Sequence, residues 1–241
     1  MNQVIELLKS HRSIRKFKDE PVTAEQLEQI LLAGQAGSTS SFLQATSVIR
    51  ITDSEKREKL MEFSGGQKWV GQAPEFLVWC ADFNRHKSIA PEAKLGFAEQ
   101  LLIGAIDTAI MAENALVAAE SMGLGGLFVG GIRNNPQGVT DLLDLPQHVI
   151  PLFGMCIGVP DQDPTLRPRL PLSLVLHENS YNAEPDKVTL AEYDKVVHDY
   201  YEERMGANKV MTWSEQISGI VSKEARPFMK AFLEKQGFAV K

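Results

Sequence analysis

The feature that most constrains the fold is the stretch 95–122, which contains no proline and is apolar almost throughout. Such a run predicts one long helix of roughly 40 Å, at 1.5 Å per residue. Gly104 and a series of alanines leave surfaces that another helix can approach closely. Membrane insertion is disfavoured by four acidic residues, Glu99, Asp107, Glu113 and Glu120. The pattern predicts a central core helix, either at a dimer interface or buried on all sides within one monomer.

The remaining sequence alternates between helical and strand patterns, and no linker divides its 241 residues. Thr23 and Gln26 form a capping-box pattern that opens a helix. Strands are predicted at about 47–52 and 75–83, and a third from Gly125 that ends in the pair Gly130-Gly131.

The C-terminal third predicts one more strand and then helices. The apolar run 172–176 indicates the strand, and three helical patterns follow, the first with a capping box at Thr189 and Glu192. We therefore expect a single domain over 1–241, of mixed helix and strand, with a helical extension at about 189–241.

The charge and the cysteine content narrow the range of possible functions. The net charge of -6 and pI near 5.5 argue against nucleic acid or a membrane surface as partner and favour a small anionic ligand. The N-terminus shows no basic region before a long apolar core, so we expect a cytoplasmic protein. Cys80 and Cys156 lie in apolar runs without cationic neighbours, which predicts buried, unreactive thiols.

Residues 11–17, HRSIRKF, concentrate basic groups and a hydroxyl in one short segment. A second basic hairpin, Arg167-Pro168-Arg169, is stiffened by prolines and could close on the same anion. Guanidinium groups match phosphate geometry in a bidentate way, so both segments indicate a phosphate-bearing cofactor. The alternative is that residues 11–17 form only a solvated charged turn.

Three further segments could complete such a site. The run Ser38-Thr39-Ser40-Ser41 offers hydroxyl and amide donors. Gly130 and Gly131 let a flat ring lie against the backbone, although they could serve only a tight turn. The interval from Arg204 to Thr212 indicates a mobile loop whose Arg204 and Lys209 could bind a second anion, or an ordinary solvated loop.

Common catalytic signatures are missing from the sequence. GxGxxG, HExxH, GxSxG and GxxxxGK[ST] patterns do not occur, and the histidines lack metal-site spacing. A chain without an evident nucleophile of its own indicates that a bound cofactor performs the chemistry.

The motifs together resemble the family of NADPH-dependent oxygen-insensitive nitroreductases and NADPH:FMN oxidoreductases, that is, flavin reductases. The resemblance rests on HRSIR at 11–15, STSSFLQ at 38–44, GGQK at 65–68, AAESMGLGG running into VGGIRN over 118–134, and RPRLP at 167–171. It extends end to end, including HENSY at 177–181 and EARP at 224–227. The resemblance implies an α+β nitroreductase fold, with an antiparallel-rich central sheet flanked by helices and the long central helix at the interface of a homodimer.

The same resemblance implies one tightly bound FMN per subunit and a set of residues around it. The residues implied to bind FMN are His11, Arg12, Ser13, Ile14, Arg15, Thr39, Ser41, Gln67, Phe128, Val129, Gly130, Gly131, Arg167, Pro168 and Arg169. The residues implied to border NADPH or the acceptor are Ser41, Phe42, Arg133, Arg204, Lys209 and Arg226. Thr39 and Arg167 stand where the family usually has Ser and Lys, and both substitutions keep the donor chemistry.

The implied reaction is ping-pong, two-electron reduction of nitroaromatics and quinones by NADPH, with no catalytic side chain and no metal. Two-electron transfer avoids a nitro radical anion, so activity is expected to persist in air. Two alternatives stay open: an NADPH:FMN flavin reductase that supplies reduced flavin to a partner, and a non-catalytic flavin-binding module.

Overall fold

The computed structural model describes residues 2–205 and 210–238. These residues fall into two compact units, one formed by Met1–Pro164 with Arg226–Lys241 and the other by Thr165–Ala225. The expectation of one domain over 1–241, with an extension at about 189–241, stays a prediction.

The first unit is built on a four-stranded sheet in the order β1-β2-β4-β3, in which every neighbouring pair is antiparallel. Its strands are β1 Thr46–Arg50, β2 Glu75–Asp82, β3 Gly125–Val129 and β4 Val149–Gly158. Strand β2, EFLVWCAD, is buried along its whole length, which its continuous apolar run predicts for a central strand. The mixed helical and antiparallel fold class is confirmed.

The helices bear out the main periodic patterns. They are α1 Gln3–Lys9, α2 Ala24–Gln35, α3 Ser54–Phe63, α4 Lys68–Gln72, α5 Asn84–Ile89, α6 Ala98–Ser121, α7 Pro136–Leu142, α8 Lys187–Met205, α9 Trp213–Val221 and α10 Met229–Lys235. The capping box at Thr23 and Gln26 forms as predicted. Short 3-10 turns cover Ser40–Phe42, Gly130–Asn134 and Leu172–Leu174.

Helix α6 is the long helix predicted within 95–122. It is long and apolar enough to cross a membrane by length and composition alone, yet it packs against α2 and the sheet. A Cβ at Gly104 would lie 2.8 Å from Ala81 Cβ, so only glycine lets α6 approach β2 this closely. Exposed Leu102, Ile106 and Ile110 form one apolar row at four-residue spacing along α6.

Two expectations for the second unit are wrong. The predicted strand 172–176 is a 3-10 turn, because the Leu174 amide donates to the Pro171 carbonyl and the Leu176 amide to the Leu172 carbonyl. The predicted capping box at Thr189 and Glu192 does not open α8. Asp186 does so, since its carboxylate accepts the amide and the hydroxyl of Thr189.

The two cysteines have the buried environment that their apolar runs predict. Both lie in the sheet with no exposed surface. Burial, with a smaller contribution from Asp82, raises the pKa of Cys80 to about 12. Burial also raises the pKa of Cys156 to about 12, against the opposing charge of Arg57.

We therefore expect the folded protein to leave both thiols unmodified by Ellman's reagent at pH 8. The thiolate is the reactive form, and at that pH it is scarce and inaccessible. Denaturant should release two reactive thiols per chain. Stoichiometric labelling of the folded protein would contradict the buried placement.

Candidate functional site

The basic segment 11–17 is attached to the sheet through its backbone. The Ile14 amide donates to the Gly126 carbonyl at 3.0 Å, and the Lys18 amide donates to the Val159 carbonyl at 2.9 Å. Phe17 forms an antiparallel bridge with Pro160. The buried Ile14 packs on Gly125, where a Cβ would lie 2.6 Å from Ile14 Cγ1. The segment is therefore a fixed backbone that presents its polar side chains, and not a free turn.

The charged groups of this segment have different partners. His11 Nδ1 lies 2.6 Å from Glu120 Oε1, and Arg12 forms an ion pair with Asp163. Arg12 Nε is buried and has no hydrogen-bond partner in the described part of the chain. The exposed Arg15 guanidinium lies over the Trp69 ring, 5.6 Å from its centroid. The Nε–H group of Arg12 can thus donate a hydrogen bond to an anion.

Trp69 connects the basic segment to the glycine turns. Its indole N–H donates to Gln67 Oε1 at 3.1 Å, and Gln67 Nε2 donates to the Ser64 carbonyl at 2.8 Å. A Cβ on Gly131 would collide with Gln67 Nε2 and lie 2.6 Å from the Ser64 carbonyl oxygen. Gly131 is therefore required where the turn 130–134 packs on the loop before α4.

Two guanidinium groups flank Gly130. Arg226 donates to Asn134 Oδ1 at 2.8 Å and to the Gly130 carbonyl at 3.4 Å. Arg133 donates to the Leu152 carbonyl, and a Cβ on Gly130 would lie 3.5 Å from Arg133 Nη2. Burial, together with the charge of Arg226, lowers the pKa of Arg133. This cluster is electropositive and favours an anionic or electron-rich ligand.

Phe128 and Val129, two of the residues implied to bind FMN, lie at the end of β3 in different environments. Val129 is buried in the core, so only its backbone is available to a ligand. Phe128 is partly exposed and makes an edge contact with Phe153, with ring centroids 5.3 Å apart.

The hydroxyl run contacts helices α5 and α6. The Ser40 amide donates to Asp107 of α6, and the Leu43 carbonyl accepts from His86 of α5. Ser41 and Phe42 are exposed, whereas Thr39 is half-buried. Their roles toward FMN, NADPH or the acceptor stay predictions.

The second unit holds the other basic residues predicted from the sequence. Arg167 donates to the Tyr201 hydroxyl at 2.8 Å, and the Pro168 carbonyl accepts from Tyr193. Arg169 Nη1 lies 3.5 Å from the Arg167 carbonyl oxygen. Arg204 lies in the last turn of α8 over the Tyr200 ring, so placing it in a loop was wrong. Lys209 lies outside the described residues.

Three residues of the site were missed by sequence reasoning. Trp69 directly follows the GGQK motif, and an aromatic residue beside a polar turn was the available signal. Asn134 was quoted only as the last residue of the VGGIRN motif, although it accepts a hydrogen bond from Arg226. Asp107 was used only as an argument against membrane insertion, although an acidic residue inside an apolar helix suggests a specific partner.

The fold and site can be compared with known proteins. The family model described as "Nitroreductase family" matches residues 8–159, and "Nitroreductase family, C-terminal domain" matches residues 167–241. The antiparallel sheet, the long core helix and the basic segment are thus those of one class of protein. The chain belongs to the nitroreductase family, as its motifs predicted.

Individual relatives match over the whole chain. The chain is 55% identical to "Oxygen-insensitive NADPH nitroreductase" of Salmonella typhimurium over 241 residues, which covers 100% of both chains. It is 48% identical to "NADPH-flavin oxidoreductase" of Vibrio harveyi, with 99% of each covered. Among solved structures, nitroreductase A of Vibrio parahaemolyticus superposes with a TM-score of 0.95 at 48% identity, covering 100% of both chains.

The packing at Gly131 allows a test of the site's architecture. We expect Gly131→Ala to lower the free energy of unfolding by about 1–3 kcal/mol, because the new methyl group overlaps Ser64 and Gln67. Gly130→Ala is the matched control, since its methyl group would meet nothing closer than 3.5 Å. Urea unfolding measures both variants, and equal midpoints would contradict the close packing of the turn on the loop.

Proposed function

We propose that this protein is an FMN-dependent oxidoreductase that uses NADPH to reduce nitroaromatics and quinones by two electrons. The observation that carries the proposal is the connected group Arg15, Trp69, Gln67 and Gly131. These residues form one chain of contacts: the guanidinium lies over the indole ring, the indole donates to the carboxamide, and the carboxamide packs on the glycine turn. The full-length similarity to proteins named NADPH nitroreductase and NADPH-flavin oxidoreductase supports the same reaction class.

The residues present fit FMN. The buried Arg12 Nε lacks a partner in the parts of the chain described, and the exposed Arg15 guanidinium can donate to phosphate. Gln67 offers both a donor and an acceptor, which suits the polar edge of a ring that carries both. Ser64 Oγ, beside Gln67, is likewise buried without a hydrogen-bond partner among residues 2–205 and 210–238.

When bound, FMN would supply the redox chemistry, a two-electron transfer between NADPH and the acceptor. The chain's own residues bind the cofactor and orient it. Arg12, Arg15 and Ser13 hold the phosphate end, Gln67 orients the ring edge, and the backbone at Gly130 and Gly131 borders the ring. Arg133 and Arg226 make the surroundings positive, which favours negative charge that develops on a nearby ligand.

The second substrate binds through the remaining basic and exposed groups. Arg204, with Lys209 assisting, binds the 2'-phosphate of NADPH, and Arg167 and Arg169 contribute donors to the FMN phosphate. Ser41, Phe42 and Arg226 border the acceptor. The motifs STSSFLQ, RPRLP and EARP support the assignments within 38–44, 167–171 and 224–227, and the family match over residues 167–241 supports those of Arg204 and Lys209.

The protein acts as a cytoplasmic homodimer. The exposed apolar row Leu102, Ile106 and Ile110 on α6 supports a second copy as its partner, because a contiguous apolar helix face is typical of an interface. Exposed Val4 and Leu8 of α1 add apolar surface in the same unit.

A flavin reductase is the second candidate function. It is favoured by the 48% identity to the Vibrio harveyi NADPH-flavin oxidoreductase and by the 41% identity to "FMN reductase (NADPH)" of Bacillus subtilis. In that case free FMN is the acceptor, and the same residues bind the resident cofactor.

Removal of the charges of Arg15 and Arg169 tests the cofactor site. We expect Arg15→Ala to purify with little FMN, because each charged hydrogen bond to phosphate contributes about 1.5–3 kcal/mol. Arg169→Ala should lose FMN for the same reason. Lys16→Ala is the control, since it removes a neighbouring exposed charge. Absorbance at the flavin band measures FMN occupancy. Full FMN content in both arginine variants would contradict the assignment of Arg15 and Arg169 to the FMN phosphate.

Arg204→Ala tests the nucleotide site separately. We expect it to raise KM for NADPH by about tenfold, which corresponds to one lost charged contact of about 1.4 kcal/mol, while FMN stays bound. The same variant should change KM for NADH far less, because NADH lacks the 2'-phosphate. Parallel increases for both nucleotides would contradict the assignment.

Anaerobic stopped-flow absorbance tests the function itself. We expect NADPH to bleach the flavin band faster than NADH does, and a nitroaromatic or quinone to restore it. Faster restoration by free FMN would favour the flavin reductase. A yellow protein that neither nucleotide bleaches would contradict both enzymes and leave a non-catalytic flavin-binding module.

A further inference from the structure

The loop 38–44 has an unusual backbone. Ser41, Phe42 and Gln44 have φ angles of 48°, 59° and 53°, in the left-handed region that residues other than glycine rarely adopt. Such conformations persist only where surrounding contacts enforce them, and they concentrate at ligand-binding positions. The contacts that enforce this loop are therefore of functional interest.

Asp107 makes one of these contacts from the core. Its side chain is on α6 and the residue is 2% exposed. Both carboxylate oxygens accept the Ser40 amide, at 3.1 and 3.2 Å. Across residues 2–205 and 210–238, no ion pair includes Asp107, and its carboxylate contacts the loop through the Ser40 amide. A buried carboxylate bound to an amide is a strong, charge-assisted contact.

The two ends of the loop are also fixed. At its start, Gly37 packs closely on α6, since a Cβ there would lie 3.1 Å from Ile110 Cγ2. At its end, His86 Nε2 donates to the Leu43 carbonyl at 2.7 Å, and Arg85 donates to the Gln44 carbonyl at 3.3 Å. These contacts leave the middle of the loop projecting, with Phe42 81% exposed.

We propose that Asp107 is a positioning residue that holds the loop 38–44 in this conformation and so fixes Ser41 and Phe42 for the electron acceptor. The part that concerns the acceptor rests on the proposed function. Asp107 acts on the amide that directly precedes the first left-handed residue, where a lost contact frees the backbone to relax. Within residues 2–205 and 210–238, this is the hydrogen bond that joins α6 to the middle of the loop.

The proposal predicts how activity changes. Without the carboxylate, the loop spends most of its time in relaxed conformations that do not bind the acceptor. The apparent affinity for the acceptor is then the intrinsic affinity multiplied by the fraction of molecules whose loop keeps the binding conformation. If about a tenth stays competent, KM for a nitroaromatic rises about tenfold. The rate of flavin bleaching at saturating NADPH should change less than about twofold, because the loss is one of acceptor binding.

Amide hydrogen exchange tests the loop without reference to activity. We compare wild-type protein, Asp107→Ala, Asp107→Asn and Thr108→Ala by NMR. Thr108 is the matched control, because it neighbours Asp107 on α6, is fully buried and pairs with Thr46. We expect the Ser40 amide to exchange at least about tenfold faster in Asp107→Ala, to be intermediate in Asp107→Asn, and to be unchanged in Thr108→Ala.

Steady-state kinetics on the same proteins, each loaded with FMN, completes the test. The expected result is a raised nitroaromatic KM in Asp107→Ala, with partial rescue in Asp107→Asn, which keeps one acceptor oxygen. If Asp107→Ala does not fold, Asp107→Asn alone is compared with the wild-type protein. Its KM for the nitroaromatic is expected to rise about threefold, which corresponds to about 0.7 kcal/mol.

The proposal is overturned if exchange at Ser40 and acceptor KM in the Asp107 variants equal those of Thr108→Ala. It is also overturned if exchange accelerates while KM stays at the wild-type value. Absence of NADPH-dependent turnover in the wild-type protein contradicts the proposed function instead, and the exchange data then decide whether Asp107 holds the loop.

Discussion

The backbone pairing of the basic segment with the sheet is the constraint on which the site depends. The Ile14 amide bonds to Gly126, and the Ile14 side chain occupies the space that Gly125 leaves open. Because this residue is buried, Arg15 beside it projects toward Trp69. A free turn would lose conformational entropy each time it bound an anion, whereas this segment is already ordered.

Local placement of charge reconciles an acidic chain with an anion-binding site. The chain carries a net charge of -6, yet Arg133 is buried close to Arg226, and its burial, together with the charge of Arg226, lowers its pKa. Two like charges at one turn cost free energy in the absence of a ligand. An anionic or electron-rich ligand relieves that cost, so the arrangement favours binding over stability.

The sequence predicted the elements whose local patterns agree with their environment. Helix α6 and strand β2 followed from uninterrupted apolar runs, and the α2 capping box followed from Thr23 and Gln26. The run 172–176 has strand-like composition, but its amides bond within the segment, so no strand forms. The position of Trp69 after the GGQK motif was a signal, but its contact with Arg15 joins positions far apart in the sequence and could not be predicted from either segment. The partners of Asp107 depend on the same kind of long-range packing.

The measurement that most directly tests phosphate binding by the basic segment 11–17 compares the binding of FMN and of riboflavin to the apoprotein, by fluorescence titration at fixed ionic strength. The two ligands share the ring and the ribityl chain, and only FMN carries the phosphate. Two charged contacts of about 1.5 kcal/mol each predict that FMN binds about a hundredfold more tightly, with the difference shrinking in high salt. Equal affinities would contradict the assignment of the basic segment to the cofactor phosphate.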